Sequence, residues 1–287
     1  MDFVKMHGLG NDFIVVNNIE ENLEVEEERL PVLAVELCNR SFGIGADGLA
    51  IITSASAEAA SYGMRIFNPD GSEAEMCGNA IRCLSKYAWE RQLVKSPKFL
   101  FETLAGLKEV EMLPSGDKVR AVRVGMGEPI LNSSEIPVSG PSRRVIDEEI
   151  FAEGKQLFFS AVSMGNPHCV IFVPSLEDIP WQEWGALLEK NPLFPARTNV
   201  EFVEIFSPQQ IRVKVWERGA GATLACGTGA CAVVVAGVLT GRLDSTVEVH
   251  LPGGFLKIQW EEGDNVYMEG PAEEVFQGTV NFLKGEK

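Results

Sequence analysis

The chain is poor in basic residues. Its 287 residues hold 25 Lys and Arg against 41 Asp and Glu, which gives a formal net charge of −16. A large nucleic-acid surface needs clustered Lys and Arg to face the phosphates. The composition therefore argues against nucleic-acid binding, while the acidity favours solubility and carries no information about the fold.

Long apolar runs are also missing. No stretch approaches the ~18 consecutive apolar residues of a membrane span. The segment Met1–Gly8 lacks the basic start and apolar core of a signal peptide. We therefore expect a cytoplasmic protein with reduced thiols and no membrane partner. The apolar share of 45% is nevertheless that of a packed globular protein.

The six cysteines are too few for a disulfide scaffold in a chain of this length. Cys77 and Cys83 are six residues apart, and Cys226 and Cys231 are five apart. On a helix these separations place the sulfurs about 120° and 140° apart, so neither pair can face one ion. We therefore expect no metal.

Phosphate-binding motifs are absent or out of context. There is no G-x-x-x-x-G-K-[ST] motif. Gly43–Gly48 matches the residue pattern G-x-G-x-x-G but not the structural context that this motif requires. The segment before it, Leu30–Leu37, has a helical pattern, and residue 68 is Asn where a dinucleotide site needs an acid. We expect a turn there, structural or substrate-lining.

The most informative pattern is a faint internal duplication. The segment 64–80, which contains Cys77, aligns without a gap with 213–229, which contains Cys226. Gly10-Asn11 likewise matches Gly165-Asn166, each before an apolar run. Two copies are too few for a repeat array. We expect two domains related by a pseudo-twofold axis, residues 1–125 with 272–287 and residues 126–271.

Each copy has the order strand, glycine-containing loop, cysteine, helix. The alternation of Ile211, Val213 and Val215 with polar residues predicts a strand. The stretch 230–239 is apolar nearly all round, which predicts a buried helix. Many strands and few long helices predict an α+β fold, with a mixed sheet or barrel around a central helix in each domain. The active site is expected in the interdomain cleft.

Cys77 and Cys226 stand where a loop leads into a helix. The first N–H groups of a helix carry partial positive charge, which stabilises a thiolate and attracts a carboxylate. The small residues that follow leave those groups accessible. Buried packing is the alternative for both cysteines. If the two thiols face each other, they suit either dithiol redox chemistry or two-base proton transfer, which inverts a carbon centre.

Several segments of the chain form a characteristic series. In order along the chain they are Lys5–Phe13, Phe67–Glu73, Cys77–Cys83, Met164–Cys169, Arg197–Val200, Glu217–Gly221 and Ala225–Cys231, with Gly270–Ala272 near the end. In these segments and their order the chain resembles the diaminopimelate epimerase family, whose members work without a cofactor in lysine and peptidoglycan precursor synthesis. At Ala80 the family often has Gly.

The resemblance implies that Cys77 and Cys226 are an acid/base pair that interconverts LL- and meso-diaminopimelate. It also implies a homodimer and no cofactor, and His168 and Glu217 would bias the protonation of the cysteines. Arg218 would fork onto the distal carboxylate and Glu217 would accept from an ammonium. The implied substrate-binding residues are Asn11, Asn68, Gly78, Asn79, Asn166, Asn199, Glu217, Arg218, Gly227 and Thr228.

Two alternatives remain open at this point, and a non-catalytic small-molecule binding protein is a third, more distant one. One is another two-cysteine amino-acid racemase, for example one that acts on proline, although a small substrate has no distal carboxylate for Arg218. The other is a dithiol redox protein, which the lack of a Cys-x-x-Cys motif disfavours. Asn68 lies in a turn-forming sequence and could serve the loop alone. The sequence leaves open which cysteine is the thiolate at rest.

Overall fold

The computed structural model describes residues 1–20, 25–115 and 118–281. The chain divides into two compact units. The first comprises residues 1–124 together with the chain from residue 270 onward, and the second comprises residues 125–269. Within the described residues, no helix combines the length and the apolarity that crossing a membrane requires.

The described residues of the first unit form a mixed sheet and two α-helices. Its sheet order is β18-β1-β2-β3-β4-β6-β7-β8, with β5 paired to the end of β4. The pairs β2–β3 and β4–β6 are parallel and the others antiparallel. The strands are β1 (Asp2–Gly8), β2 (Asn11–Asn18), β3 (Gly48–Thr53), β4 (Tyr62–Phe67), β5 (Glu73–Ala74), β6 (Lys98–Thr103), β7 (Gly106–Ser115), β8 (Lys118–Gly127) and β18 (Glu273–Thr279), and the helices are α1 (Leu30–Cys38), preceded by a 3-10 turn at Glu27–Arg29, and α2 (Gly78–Glu90).

The second unit repeats this arrangement. Its sheet order is β9-β10-β11-β12-β13-β15-β16-β17, with β14 paired to the end of β13. Here β11–β12 and β13–β15 are the parallel pairs. The strands are β9 (Glu148–Ala152), β10 (Lys155–Ser163), β11 (Pro167–Phe172), β12 (Asn199–Ser207), β13 (Gln210–Glu217), β14 (Gly221–Ala222), β15 (Thr246–Leu251), β16 (Gly254–Gln259) and β17 (Val266–Gly270), and the helices are α3 (Trp181–Leu188) and α4 (Gly227–Leu239).

The sequence of parallel and antiparallel pairings is the same in both units, which confirms the internal duplication. The register agrees residue by residue: Phe67 pairs with Glu73 and Trp216 with Ala222, the offset that also relates Cys77 to Cys226. Strand β18, which returns from the end of the chain, takes in the first unit the place that β9 takes in the second.

Each sheet packs against one central helix. Helix α2 contacts β1, β2, β3, β4 and β7, and α4 contacts the equivalent β10, β11, β12 and β16. In α2 the face formed by Ile81, Leu84 and Ala88 is fully buried. In α4 every residue from 229 to 237 is buried, because a helix without a polar stripe needs packing on all sides. The predicted α+β fold is therefore confirmed.

The glycine-rich segment 43–48 ends a helix and does not follow a strand. The backbone N–H groups of Gly43 and Gly45 donate to the carbonyls of Asn39 and Leu37 at the end of α1. Gly45 has a positive φ of 79°, which a residue with a side chain rarely adopts. The segment caps α1, and this context does not fit a dinucleotide-binding turn.

Candidate active site

Cys77 is the N-cap residue of α2. Its extended backbone (φ −141°, ψ 119°) turns the chain from the loop after β5 into the helix, and its side chain is half-buried. Gly78 and Asn79 form the beginning of the first turn. The thiol therefore stands beside N–H groups that have no partner within the helix, as the sequence predicts.

Asn11, at the start of β2, connects this cysteine to its surroundings. Its Oδ1 lies 4.0 Å from Cys77 Sγ and accepts a hydrogen bond from Asn79 Nδ2 at 2.9 Å. Its Nδ2 donates to Asp47 Oδ2 at 3.0 Å. Because Asp47 takes the amide nitrogen, the Asn11 oxygen faces the cysteine. The structure thus brings together three predicted residues, and it adds Asp47.

Asp47 and Asp12 belong to a cluster of four charged side chains that holds them in place. Lys5, which is buried, pairs with Asp12 at 2.7 Å, and Arg40 bridges Asp12 at 2.8 Å and Asp47 at 2.7 Å. Burial alone would raise the pKa of Asp12, but hydrogen bonds from Arg40 and Lys5 lower it to about 2. Asp12 is therefore ionised at neutral pH, and the cluster gives Asn11 a fixed support.

A buried arginine of α2 reaches back to the start of its own helix. Arg82 is fully buried, and its guanidinium donates to Gly78 O at 3.0 Å, Asn79 Oδ1 at 2.8 Å and Pro271 O at 3.1 Å. It thereby ties the first helical turn to the segment that precedes β18. It also places a positive charge below the helix end that carries Cys77.

Cys226 is the N-cap residue of α4 and is buried. Its Sγ accepts from the backbone N–H of Gly229 at 3.4 Å and lies 3.5 Å from Thr228 Oγ1. Burial raises the pKa of this thiol well above its ordinary value, and the nearby carboxylates of Glu217 and Glu201 raise it further. Cys226 is therefore protonated at neutral pH.

His168, on β11, is fully buried beside α4, the helix that follows Cys226. Its Nδ1 lies 2.7 Å from Glu201 Oε1 and its Nε2 lies 3.0 Å from Asn166 Oδ1. Both ring nitrogens thus face oxygen atoms. The predicted neighbours His168 and Asn166 are in contact, whereas Glu201 was not among the predicted site residues.

Asn199 and Arg218 are held by the protein itself. Asn199 is buried, donates to Pro167 O at 2.9 Å and accepts from the backbone N–H of Arg218 at 2.9 Å. Arg218 is exposed, and its Nη1 donates to Ala196 O at 3.1 Å. In this structure Asn199 orders the loop that carries Arg218, which stands at the surface.

Glu217 and Asn68 occupy equivalent positions, at the end of β13 and just after β4. Each forms a hydrogen bond within its own loop. Glu217 Oε1 accepts from Thr223 Oγ1 at 2.6 Å, and Asn68 Nδ2 donates to Ser72 Oγ at 2.9 Å. The Asn68 amide therefore serves its turn, which was one of the two interpretations of its sequence context. The carboxylate of Glu217 lies close enough to Cys226 to act on its pKa.

Glu189 supports the Glu217–Arg218 loop. It follows α3, and its carboxylate accepts from Trp216 Nε1 at 2.9 Å and from the Gly219 backbone N–H at 3.1 Å. Burial acts to raise the pKa of Glu189, but these hydrogen bonds bring it below its ordinary value. Glu189 is therefore ionised and fixes the loop from below.

The supporting residues Asp47, Arg82, Glu189 and Glu201 were missed because they act through other side chains. Glu201 left one signal: it is the only charged residue in the otherwise apolar stretch 200–203. A carboxylate inside a buried strand is costly unless it is paired, so it marks a partner elsewhere in the chain. The partner, His168, could not be inferred from spacing.

The arrangement can bind a carboxylate and move a proton. Each helix start offers backbone N–H groups beside a thiol. The first is surrounded by amides and a buried cation, and the second by two carboxylates and a histidine. Each helix start by itself suits proton abstraction next to a carboxylate, with the helix N–H groups stabilising the charge that develops.

Comparison with known sequences gives the family. The chain matches the family described as "Diaminopimelate epimerase" over residues 3–132 and 160–275. The diaminopimelate epimerase of Pelotomaculum thermopropionicum is 56% identical over 278 residues, which cover 97% of this chain and 98% of that protein. That of Desulforudis audaxviator is 54% identical over 279 residues, with the same coverage.

Solved structures with the same fold have distant sequences. A probable proline racemase from Agrobacterium radiobacter superposes with a TM-score of 0.69 at 15% identity, and covers 98% of this chain and 92% of that one. A hydroxyproline epimerase from Agrobacterium vitis gives 0.68 at 16% identity, with 97% and 91% covered. These likenesses concern the fold alone. On the strength of the sequence matches, which run from end to end, the chain belongs to the diaminopimelate epimerase family, a family of amino-acid isomerases.

Proposed function

We propose that this protein interconverts LL- and meso-diaminopimelate by two-base proton transfer between Cys77 and Cys226, without a cofactor. One cysteine, as thiolate, removes the α-proton, and the other, as thiol, delivers a proton to the opposite face of the same carbon. The product then leaves with its α-carbon inverted, and the two cysteines have exchanged their protonation states. The proposal requires both cysteines to reach one carbon from opposite sides.

The observation that carries the proposal is the repeated helix start. Cys77 and Cys226 are the N-cap residues of α2 and α4 in two units of equal topology. A near-symmetric pair of acid/base groups suits a reaction whose substrate and product differ only in the hand of one carbon. The backbone N–H groups at Gly78, Gly227 and Thr228 would hold the carboxylate next to that carbon.

Specificity for a two-ended amino acid would come from the loop after β13. Arg218 is exposed and its guanidinium can fork onto a distal carboxylate. Glu217 supplies an acceptor for an ammonium group, and Asn11 and Asn166 offer amides at equivalent positions. Because the whole protein carries a charge of −16, a dianionic substrate depends on these local groups.

Several further properties follow from the family resemblance. We place the protein in the cytoplasm, in the biosynthesis of lysine and peptidoglycan precursors, as a homodimer. The exposed apolar side chains of Val275 and Phe276 on β18 supply an apolar strand surface for a second copy. Light scattering of the purified protein measures the mass, and a monomer across the working concentration range would contradict the dimer.

The substrate is tested with the purified protein in deuterated water. LL-Diaminopimelate should invert to the meso form and acquire deuterium at the α-carbon without any added metal or cofactor. Proline, which has no second carboxylate for Arg218, should be unchanged. Inversion of proline but not of diaminopimelate would contradict the substrate, and transfer of electrons to a disulfide reporter without α-proton exchange would contradict the reaction class.

The resting states of the cysteines are tested by alkylation. The pKa of Cys226 lies well above its ordinary value, so its thiolate is scarce below that pKa and increases as the pH rises through it. We expect iodoacetamide at pH 8 to modify Cys77, which lies above the buried Arg82, before Cys226. Peptide mass spectrometry at short times identifies the product. Preferential modification of Cys226 would contradict this assignment.

A further inference from the structure

Among the residues that the structure describes, the buried pair His168–Glu201 of the second unit has no equivalent pair in the first. Glu201 pairs with Val215 across β12 and β13, and Ala50 pairs with Ile66 across β3 and β4. Since Ile66 and Val215 are equivalent in the duplication, Ala50 is the counterpart of Glu201.

The histidine has an apolar counterpart in the same way. The offset that relates Asn11 to Asn166 relates Phe13 to His168. The first unit thus packs an aromatic ring and a methyl group where the second buries an imidazole and a carboxylate. The reverse holds on the cysteine helices: the buried Arg82 of α2 has Cys231 as its counterpart in α4.

Glu201 lies against the helix that carries Cys226. A Cβ placed on Gly229, in the first turn of α4, would lie 2.7 Å from Glu201 Oε1 and 3.3 Å from Cys226 Sγ. The carboxylate and the thiol therefore pack on the same glycine. This close approach is possible because residue 229 has no side chain.

Only one of the two carboxylate oxygens of Glu201 has a hydrogen-bond partner among the described residues. Its side chain is fully buried, Oε1 contacts His168 Nδ1 at 2.7 Å, and Oε2 is buried with no hydrogen-bond partner among the described residues. A buried carboxylate that lacks part of its hydrogen bonds acts strongly on neighbouring ionisable groups, because little solvent screens it.

We propose that Glu201 is a positioning residue that makes the two cysteines unequal: it holds the His168 ring against Asn166 and, packed beside Cys226, keeps that cysteine in its thiol form at rest. A second negative charge on Cys226 would face the Glu201 carboxylate across Gly229. Beside the helix that follows Cys77, the equivalent position holds Ala50, and that helix carries the buried Arg82. At the start of each catalytic cycle, Cys77 is then the base and Cys226 is the acid.

The ionisable groups around Glu201 and Cys226 lie on three strands. Glu201 on β12 and Glu217 at the end of β13 disfavour the thiolate, and burial acts in the same direction. His168 on β11 pairs with Glu201, and Cys169 on the same strand has its pKa raised by burial and by Glu201. Removal of the Glu201 charge takes away one of the two carboxylates that act on Cys226.

The test uses Glu201→Gln in the whole 287-residue chain, with Glu204→Gln as the matched control. Glu204 lies on the same strand and pairs with Arg212 at 2.7 Å, away from the cysteine helix. We expect Cys226 alkylation by iodoacetamide at pH 8 to be at least about tenfold faster in Glu201→Gln, which corresponds to a shift of one pKa unit. The Glu204→Gln rate should equal that of the unmodified protein.

The catalytic consequence rests on the proposed function and is measured separately. Activity requires one thiolate and one thiol, so it falls at high pH when the second thiol ionises. In Glu201→Gln this fall should move to lower pH, whereas a role in packing alone would leave the profile in place. Circular dichroism verifies folding, and Glu201→Met, which also removes the carboxylate, serves as the second variant.

The possible failures are distinguishable. If the unmodified protein does not invert diaminopimelate, the proposed function fails, and the alkylation comparison still decides the role of Glu201. If inversion occurs but the Cys226 alkylation profile is the same with and without the Glu201 charge in both folded variants, the role assigned to Glu201 is wrong and the proposed function stands.

Discussion

Replacement of either Cys77 or Cys226 by alanine should reduce diaminopimelate inversion by at least about 10³-fold, within the range for loss of a positioned acid or base. Each variant keeps one of the two groups. The remaining cysteine can still remove and return the α-proton of the epimer that presents its proton to it. In deuterated water each variant should therefore exchange the α-proton of one epimer without inverting it, and the two variants should prefer opposite epimers.

The same two helices provide matched controls for the cysteine variants. Cys83 on α2 and Cys231 on α4 are fully buried, and burial raises the pKa of Cys83 to about 12. Their replacement by alanine removes a small packed side chain and no group of the proposed reaction. We expect both control variants to retain inversion. Substantial inversion by Cys77→Ala or Cys226→Ala would rule out the two-base assignment.

Arg82→Met should lower the free energy of unfolding by about 3 kcal/mol or more, since hydrogen bonds to a charged group contribute about 1.5–3 kcal/mol each. The change leaves Asn79 Oδ1 and Pro271 O without the buried guanidinium that now donates to them. Urea denaturation followed by circular dichroism measures the difference. The start of α2 should also loosen, so inversion should fall in the variant even where it is folded.

The control for this prediction lies at the other end of the same helix. Arg91, the C-cap residue of α2, pairs with Glu274 at 3.2 Å at the surface. Exposed ion pairs contribute about 0–1 kcal/mol, so Arg91→Met should be close to neutral. Equal destabilisation by both variants would mean that the buried position of Arg82 confers no special role.

Much of the fold could be predicted from the sequence because the relevant signals are local. The alternation at Ile211, Val213 and Val215 predicted β13, and the uniformly apolar stretch 230–239 predicted the buried α4. The duplication of the cysteine segments predicted two units of similar topology. The helical pattern before the segment 43–48 was also predicted, and α1 (Leu30–Cys38) lies there.

The supporting contacts of the site could not be predicted, because they join residues far apart in the chain. Asp47 supports Asn11 across 36 residues, Glu201 meets His168 across 33, and Arg82 reaches Pro271 across 189. No periodicity encodes such pairs. They arise only when strand register and helix packing place the side chains side by side.

The sequence by itself determined the family motifs, the strand and helix patterns and the positions of Cys77 and Cys226 at two helix starts. These follow from hydrogen-bonding and apolar periodicities that act over a few residues. Only the tertiary structure decided what surrounds each cysteine, a buried arginine under one and two carboxylates beside the other. That difference depends on long-range packing and on burial, which strengthens charge interactions far beyond their size in water.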